Sequence, residues 1–266
     1  MRTVRGITAL FILSLLVNYT LYGTKILISN GNWGDVREDE IHTVLQSATE
    51  VFKPYSPILK NNKIRVYKTE TYPKIHYDKD EDGFHRIKIS AKGRFWCQYV
   101  FQFSHELGHL ICKTKRGNSA NDWFEETLCE TASLFALNQL SKSWSNNPPF
   151  PNWKSYAKEF RNYRIKRVKE SAYPDNFVIS SWWKNNRNIL SKNANLRKQN
   201  LWMAIQILDI IEKQPRAAWS ACEWLNHSKN YVPQNLEQYL QNWKSACPQS
   251  EQKRFVDEII NLFGVV

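Results

Sequence analysis

Short hydrophobic runs in the first third of the chain predict a small β-sheet. The runs cover residues 25–29, 64–67 and 86–90, and in the last of them two isoleucines alternate with basic residues. That alternation is the two-residue period of a half-buried strand. A helix is predicted between the first two runs, over about residues 39–52. The chain therefore begins with strand, helix and at least two further strands.

Longer helical patterns follow the strands. Residues 101–111 and 122–137 predict two consecutive helices, and the prolines between residues 146 and 151 mark a break after them. Beyond the break, helices are predicted near 153–169, 176–190, 197–213, 215–227, 234–246 and 250–263. We therefore predict an α+β fold, in which a small N-terminal sheet packs on the helix around residues 101–111 and a mostly α-helical part follows.

The first 23 residues resemble a secretory signal peptide. Arg2 and Arg5 precede an eleven-residue apolar stretch, residues 7–17. This stretch is shorter than the roughly 20 apolar residues that cross a bilayer. The small-x-small cleavage pattern is missing, so a retained N-terminal anchor is the second interpretation. We expect an exported chain, periplasmic or secreted, which associates with the membrane if the segment is not cleaved.

Two histidines and a glutamate lie inside the helix predicted over residues 101–111. His105 and His109 are four residues apart, which places both imidazoles on one helical face, within reach of a single ion. Glu106 points elsewhere, too far round to bind the ion but able to take a proton from water. Gly108 leaves open space beside them. The pattern predicts a metal hydrolase, and chance occurrence in an amphipathic helix is the alternative.

The second predicted helix supplies further carboxylates. The first helix is predicted to end at three cations and a glycine, Lys113, Lys115, Arg116 and Gly117. The second helix is predicted to begin after a capping residue, Asn121 or Asp122. Glu126 and Glu130 share one helical face, so one can bind a metal while the other orients an imidazole. Glu125 is the rival ligand, about 100° round the helix from Glu126. It also fits a solvated helix start.

These residues carry a family resemblance. The pattern His-Glu-x-x-His followed by Trp-Phe-Glu-Glu-Thr-x-x-Glu resembles the gluzincin, or thermolysin-like, zinc metallopeptidases over residues 96–137. The resemblance assigns His105, His109 and Glu126 as ligands of Zn²⁺, Glu106 as general base and Glu130 as support for a histidine. It also implies that the predicted strand at 86–90 is an edge strand that binds the substrate backbone.

The interval between the second histidine and the third ligand departs from the family. Sixteen residues separate His109 from Glu126, which is short for a gluzincin, so Glu125 or Glu130 stays open as the ligand. The metzincin branch is excluded, because Cys112 and Lys115 stand where it requires glycine and histidine.

The resemblance implies hydrolysis of peptide bonds in a peptide or protein substrate. Residues 24–145 would form a zincin-like catalytic domain and residues 146–266 a helical C-terminal domain. Two other functions stay open: a non-catalytic exported binding module with a structural or vestigial zinc site, and a zinc amidase that acts on cell-wall peptides. The oxyanion-stabilising residue is not identified by spacing, and the aromatic and histidine candidates are Tyr163, Tyr173, His227 and Tyr231.

Charge, cysteine and tryptophan content indicate which binding partners, disulfide bonds and core residues to expect. The net charge of +12 suits an anionic surface or acidic substrate. No nucleic-acid motif is present, so nucleic acid is not an expected partner. Cys222 and Cys247 are the plausible disulfide pair, and Cys97, Cys112 and Cys129 are expected in the core. Tryptophans of the C-terminal helices are expected to pack in the core, with a peptide or sugar groove as the alternative.

Overall fold

A computed structural model describes residues 24–113, 120–227 and 235–265. This part of the chain contains nine α-helices and one four-stranded sheet, so the fold is α+β as predicted. The segment predicted as a signal peptide or anchor lies outside the described residues, as do Lys115, Arg116, Gly117 and Tyr231. None of the described helices is both long enough and apolar enough to cross a membrane.

The sheet follows the predicted strands closely and adds one. Its strands are Lys25–Ile28 (β1), Lys63–Lys68 (β2), Lys74–Ile75 (β3) and His85–Ile89 (β4), in the spatial order β1-β2-β4-β3. The first two and β4 run parallel, whereas β3 pairs antiparallel with β4 and places Ile75 opposite Ile87. The inward isoleucines of β2 and β4 are fully buried, which explains the alternation in the sequence.

The strand predicted as the sheet edge lies inside the sheet. β4 has β2 on one side and β3 on the other, so neither of its edges is free to bind a substrate strand. The prediction for residues 86–90 is therefore wrong, and β3 is the edge on that side. A strand of two residues that follows Pro73 is too short to give a detectable alternation.

The helices agree well with the sequence pattern. They are Glu38–Phe52 (α1), Trp96–Ile111 (α2), Asp122–Asn146 (α3), Ala157–Glu170 (α4), Ile179–Leu190 (α5), Arg197–Lys213 (α6), Pro215–Cys222 (α7), Leu236–Ala246 (α8) and Ser250–Phe263 (α9). Two 3₁₀ turns, Pro57–Lys60 and Pro151–Tyr156, begin at prolines. The main differences are an α2 that begins five residues before the predicted start at 101, a longer α3, and an α7 that ends five residues before the predicted limit at 227.

α3 is the central helix and contacts α1, α2, α4 and α6. Most of its residues are buried on every side, including the hydroxyls of Thr127 and Thr131. Each hydroxyl donates to the carbonyl one turn back, of Trp123 and of Thr127 respectively, at 2.8 Å. These bonds satisfy the polar atoms, so a helix with small polar residues can occupy the centre of the fold.

The far end of α3 joins it to the helical part. The indole of Trp144 stacks on Trp153 with ring centroids 5.4 Å apart and meets Phe160 edge-on at 4.9 Å. One hydrophobic cluster extends from the sheet through α2 and α3 into α9. The predicted tryptophans of the C-terminal helices belong to this cluster or pack against it, as expected. The division into domains 24–145 and 146–266 stays a prediction.

All five cysteines are buried free thiols. The predicted Cys222–Cys247 bridge is absent, and the Cys222 thiol instead forms a hydrogen bond with Cys112 at the end of α2. Cys247 follows α8 and is 1 % exposed. The expectation that Cys97, Cys112 and Cys129 are buried is confirmed, although Cys129 also lies beside the histidine pair.

Candidate metal centre

The centre is built where α2 and α3 pack most closely, at Gly108. A Cβ atom on this residue would lie 2.9 Å from the Sγ and 3.0 Å from the Cα of Cys129. Such distances are shorter than van der Waals contact, so only glycine lets the two helices approach this far. The prediction of open space beside Gly108 is therefore wrong, because Cys129 of α3 fills that space.

Glu126 of α3 faces both histidines of α2. Its Oε2 lies 3.1 Å from the Nε2 of His105, and its Oε1 lies 3.4 Å from the Nε2 of His109. The two imidazole centroids are 5.2 Å apart, as expected for residues one helical turn apart. Three groups that can bind a metal therefore converge, and they are the ones that the sequence selects.

Electrostatics keep the Glu126 side chain charged. Burial by itself would raise the pKa of this carboxyl. The hydrogen bond with His105 and the charges of both histidines outweigh burial, and the pKa lies below its ordinary value. An ionised carboxylate is the form that binds a metal ion.

Glu130 lies one turn further along α3, behind His105. Its Oε1 is 3.9 Å from the Nδ1 of His105, so the contact is electrostatic and longer than a hydrogen bond. Burial raises the pKa of Glu130, and its Oε2 is buried without a hydrogen-bond partner. The side chain occupies the position predicted for a histidine support, but at this distance no hydrogen bond joins it to the imidazole.

Glu125 holds the other histidine. Its Oε1 lies 2.7 Å from the Nδ1 of His109, and because a carboxylate only accepts, that nitrogen carries the proton. The Nε2 of His109 lies on the other side of the ring and faces Glu126 at 3.4 Å, and when this nitrogen is deprotonated its lone pair can bind an ion there. Glu125 is 6 % exposed, so the interpretation of this residue as part of a solvated helix start is wrong.

The support of His109 continues into the helical part. Asn226, which follows α7, donates from its Nδ2 to the Oε2 of Glu125 at 2.7 Å and to the carbonyl of Cys112 at 3.0 Å. Tyr239 of α8 donates its hydroxyl to the Oδ1 of Asn226 at 3.3 Å. No sequence signal connects Asn226 with Glu125, because the two residues are 101 positions apart along the chain and meet only through the fold.

Cys129 forms a second group with the histidine pair. One ligand atom from each of His105, His109 and Cys129 lies within 4.8 Å of the others, a cluster that could hold a metal ion. Cys129 is completely buried, and burial raises the pKa of its thiol. The sequence interpretation of Cys129 as a core residue alone overlooked its position three residues after Glu126, on nearly the same face of α3.

Glu106 is buried beside this cluster and is tied to the sheet. It is 3 % exposed, and burial raises the pKa of its carboxyl while both histidines act to lower it. The backbone N–H of Ile75, in edge strand β3, donates a hydrogen bond to the carboxylate. The side chain is thus held at the metal centre without contributing to the ligand cluster.

A cavity of about 710 Å³ opens onto these residues. Its lining comes from β3 and its flanks, from α2 and α3, and from the starts or inner faces of α4 and α6. Of the tyrosines and histidine considered for the oxyanion, Tyr163 lines the cavity and Tyr173 and His227 do not. Tyr77, which the sequence gave no reason to select, also lines it, and burial raises the pKa of its phenol.

The chain was compared with protein-family models, with curated proteins and with solved structures. None of these comparisons gives a match.

Proposed function

We propose that the protein is a zinc-dependent metallopeptidase. The observation that carries this proposal is the convergence of Glu126 on the Nε2 atoms of His105 and His109, with Glu106 beside them on the same cavity. The likeness of this residue pattern to the gluzincin family supports the same conclusion. The substrate would be a peptide or protein, and the chain would be exported.

The side chains fit a zinc ion. Two imidazoles and one carboxylate are a common zinc ligand set that leaves a coordination position for chemistry. The proton on the Nδ1 of His109 is fixed by Glu125, which is the usual arrangement for a ligating histidine. A bound zinc ion would polarise the substrate carbonyl and lower the pKa of a water molecule.

Glu106 would act as the general base and then as the general acid. Its raised pKa, caused by burial, brings proton affinity closer to the working pH of a peptidase. Its carboxylate would take a proton from the attacking water and deliver it to the leaving amine. The hydrogen bond from Ile75 would keep the carboxylate oriented during both transfers.

The placement of the sheet supports the family arrangement. β3 and β4 contact α2, and Gln102 of α2 accepts hydrogen bonds from the backbone N–H groups of Ser90 and Ala91 at 2.9 and 3.1 Å. We infer that the small sheet packs on the active-site helix, as in gluzincins. β3 would then be the strand beside the substrate.

The first test is metal content. The purified chain should contain close to one equivalent of zinc by elemental mass spectrometry, and Glu126→Ala should lose it. Glu125→Ala should still take up zinc when the metal is supplied in excess, because Glu125 contacts a ligand and not the ion. A refolded parent chain that takes up no zinc would overturn the proposal.

The second test is turnover. Glu106→Gln should retain zinc and lose at least about a hundredfold of the parent rate on a peptide library, as expected when a general base is removed. A zinc amidase would fail on that library and cleave cell-wall peptides, so parallel assays with both substrates separate the two activities. Unchanged turnover in Glu106→Gln would exclude the proposed mechanism.

Cys129 favours a second candidate, a structural metal site. If His105, His109 and Cys129 all bound the ion together with Glu126, four ligands would close the coordination sphere. X-ray absorption spectroscopy distinguishes the two, because a sulfur ligand lies at about 2.3 Å and nitrogen or oxygen ligands at about 2.0–2.2 Å. The peptidase proposal expects no sulfur scatterer, and a sulfur ligand would favour the structural site.

A further inference from the structure

The helical side of the cavity carries two arginines that the proposed chemistry does not use. Arg167 of α4 and Arg197 of α6 line the same cavity as Glu106 and the metal centre. The nearby carboxylates of Glu126 and Glu130 form their ion pairs with the histidines. Among the described residues, neither guanidinium lies within ion-pair distance of a carboxylate. Both cations are therefore available to a ligand.

Arg167 has a polar atom that is buried away from water and lacks a hydrogen-bond partner. Its guanidinium carbon lies 4.9 Å from the centroid of the Phe101 ring, which is the distance of a cation–π contact. Its Nε is buried and has no hydrogen-bond partner. A desolvated donor of this kind costs stability unless a partner reaches it, so its retention needs an explanation.

The start of α6 adds a second source of positive potential. Arg197 occupies the first position of this 17-residue helix, the first turn contains no acidic residue, and no side chain caps the N-terminus. The helix dipole is positive at this end, so a cation there is unfavourable unless an anion is bound.

Asn200, one turn further along α6, also lines the cavity and is 2 % exposed. Its Nδ2 donates to the carbonyl of Ala194 at 2.7 Å, and its buried Oδ1 has no partner. The wall therefore combines unpaired cations with an unused hydrogen-bond acceptor.

We propose that Arg167, Arg197 and Asn200 form a subsite for the carboxylate of a peptide substrate. Guanidinium groups bind carboxylates through paired, charge-assisted hydrogen bonds. The C-terminal residue of a peptide offers a carboxylate to the arginines and an amide N–H to the Oδ1 of Asn200. This inference rests on the proposed function, and it narrows the substrate to peptides that place a carboxylate beside the scissile bond, with the free C-terminus as first choice.

The competing explanation is charge neutralisation. Both arginines act to lower the pKa of Glu130, and Arg197 acts on Glu126, so they contribute to the balance of charge around the histidines. Each of these carboxylates already has a histidine within 4 Å, however. Neutralisation alone would give no preference between a free and an amidated C-terminus, and this difference makes the proposal testable.

Binding to the zinc-loaded full chain carrying Glu106→Gln is the test, read by equilibrium dialysis and mass spectrometry. Three mixed tripeptide libraries are compared: free C-terminal carboxylates, C-terminal amides, and amides whose last residue is Asp or Glu. We expect the first library to bind at least about tenfold more tightly than the second, the size of a charge-assisted contact. Tight binding of the third library would assign the carboxylate to a side chain instead.

Substitutions locate the effect. Arg197→Gln, at an exposed helix start, and Arg167→Gln should each remove most of the preference for a carboxylate. Arg164→Gln is the matched control, because Arg164 lies on α4 and also has a buried, unpartnered Nε but does not line the cavity. It should leave the preference unchanged.

Equal binding of free and amidated libraries, no binding of either, or a preference that survives both substitutions would overturn the subsite. In the last case the carboxylate binds the metal. Turnover by the parent chain is scored separately, so a failed peptidase and a failed subsite are distinguishable. A carboxylate preference without hydrolysis would contradict the proposed peptidase activity and support the proposed subsite.

Discussion

His105 and His109 lie one turn apart on the same helix, yet their surroundings differ. His109 is held by a chain of hydrogen bonds that runs through Glu125 and Asn226 to Tyr239, with distances from 2.7 to 3.3 Å. Among the described residues, the carboxylate behind His105 is that of Glu130, at 3.9 Å. One imidazole is thus fixed by geometry, and the other is held mainly by charge.

The difference separates a rigid side of the centre, formed by His109 and its hydrogen-bonded supports, from an adjustable side, formed by His105 and Glu130. The rigid side reaches into the helical part, so Asn226, which follows α7, and Tyr239 of α8 take part in orienting His109. The adjustable side opens onto the cavity, where Glu130 and Arg167 both line the wall. A substrate that binds to the arginines would change the charge around His105 far more than that around His109.

Substitution of Gly108 should affect both histidines together and have the largest effect. Gly108→Ala places a methyl group 2.9–3.0 Å from Cys129, so α2 and α3 must separate. We expect a loss of about 1–3 kcal/mol in the free energy of unfolding, measured by urea denaturation, together with weaker zinc binding. Cys129→Ala should recover part of this loss in a double-mutant cycle. Additive effects would contradict the close packing.

Removal of the Glu125 carboxylate tests how much the hydrogen bond to His109 contributes to zinc binding. Glu125→Ala frees the Nδ1 of His109, and we expect zinc affinity to fall about 10–100-fold, as for other residues that orient a ligating histidine. The measurement is competition with a chelating dye at fixed pH. A change below about twofold would mean that the hydrogen bond does not orient the ligand.

Asn226→Ala tests whether the support extends beyond Glu125. The variant removes the bond to Glu125 and the one to the Cys112 carbonyl, but leaves the bond between Glu125 and His109. We expect a smaller loss of zinc affinity, of about tenfold or less. Combined with Glu125→Ala it should add little, because both act through His109. Independent, additive losses of zinc affinity would contradict the proposal that Asn226 acts through Glu125.

Glu130→Gln should have the smallest effect. The amide keeps the size of the Glu130 side chain, and the 3.9 Å contact with the Nδ1 of His105 is already longer than a hydrogen bond. We expect zinc affinity to change only a few-fold, less than for a bonded support. If the loss equals that of Glu125→Ala, the two histidines are supported equally and the comparison fails.

Local patterns predicted most of the fold. The strands and helices follow runs and periods within single segments, and α6 and α9 have the predicted bounds. The exceptions are set by neighbours: β3 exists because β4 offers it a partner, and α7 ends early as the chain turns toward Asn226. Such limits depend on tertiary contacts that a linear pattern does not contain.

Spacing within single helices was equally informative for the site. Residues four apart on α2 and α3 identified His105, His109, Glu126 and Glu130, which the fold brings together. The role of Glu125 depends on how α3 is rotated against α2, and the proximity of Cys129 depends on their separation at Gly108. Helical spacing gives neither quantity, so these two residues could be assigned only from the structure.

The hydrogen bond from Ile75 to Glu106 has a practical consequence. Its donor is a main-chain amide, which every residue except proline provides, so alanine scanning of the cavity would leave it intact and give no sign of it. Replacing the peptide bond before Ile75 with an ester would delete this donor and leave every side chain unchanged. If Glu106 is the base, its orientation and pKa depend in part on the backbone of a two-residue strand, which side-chain substitutions do not change.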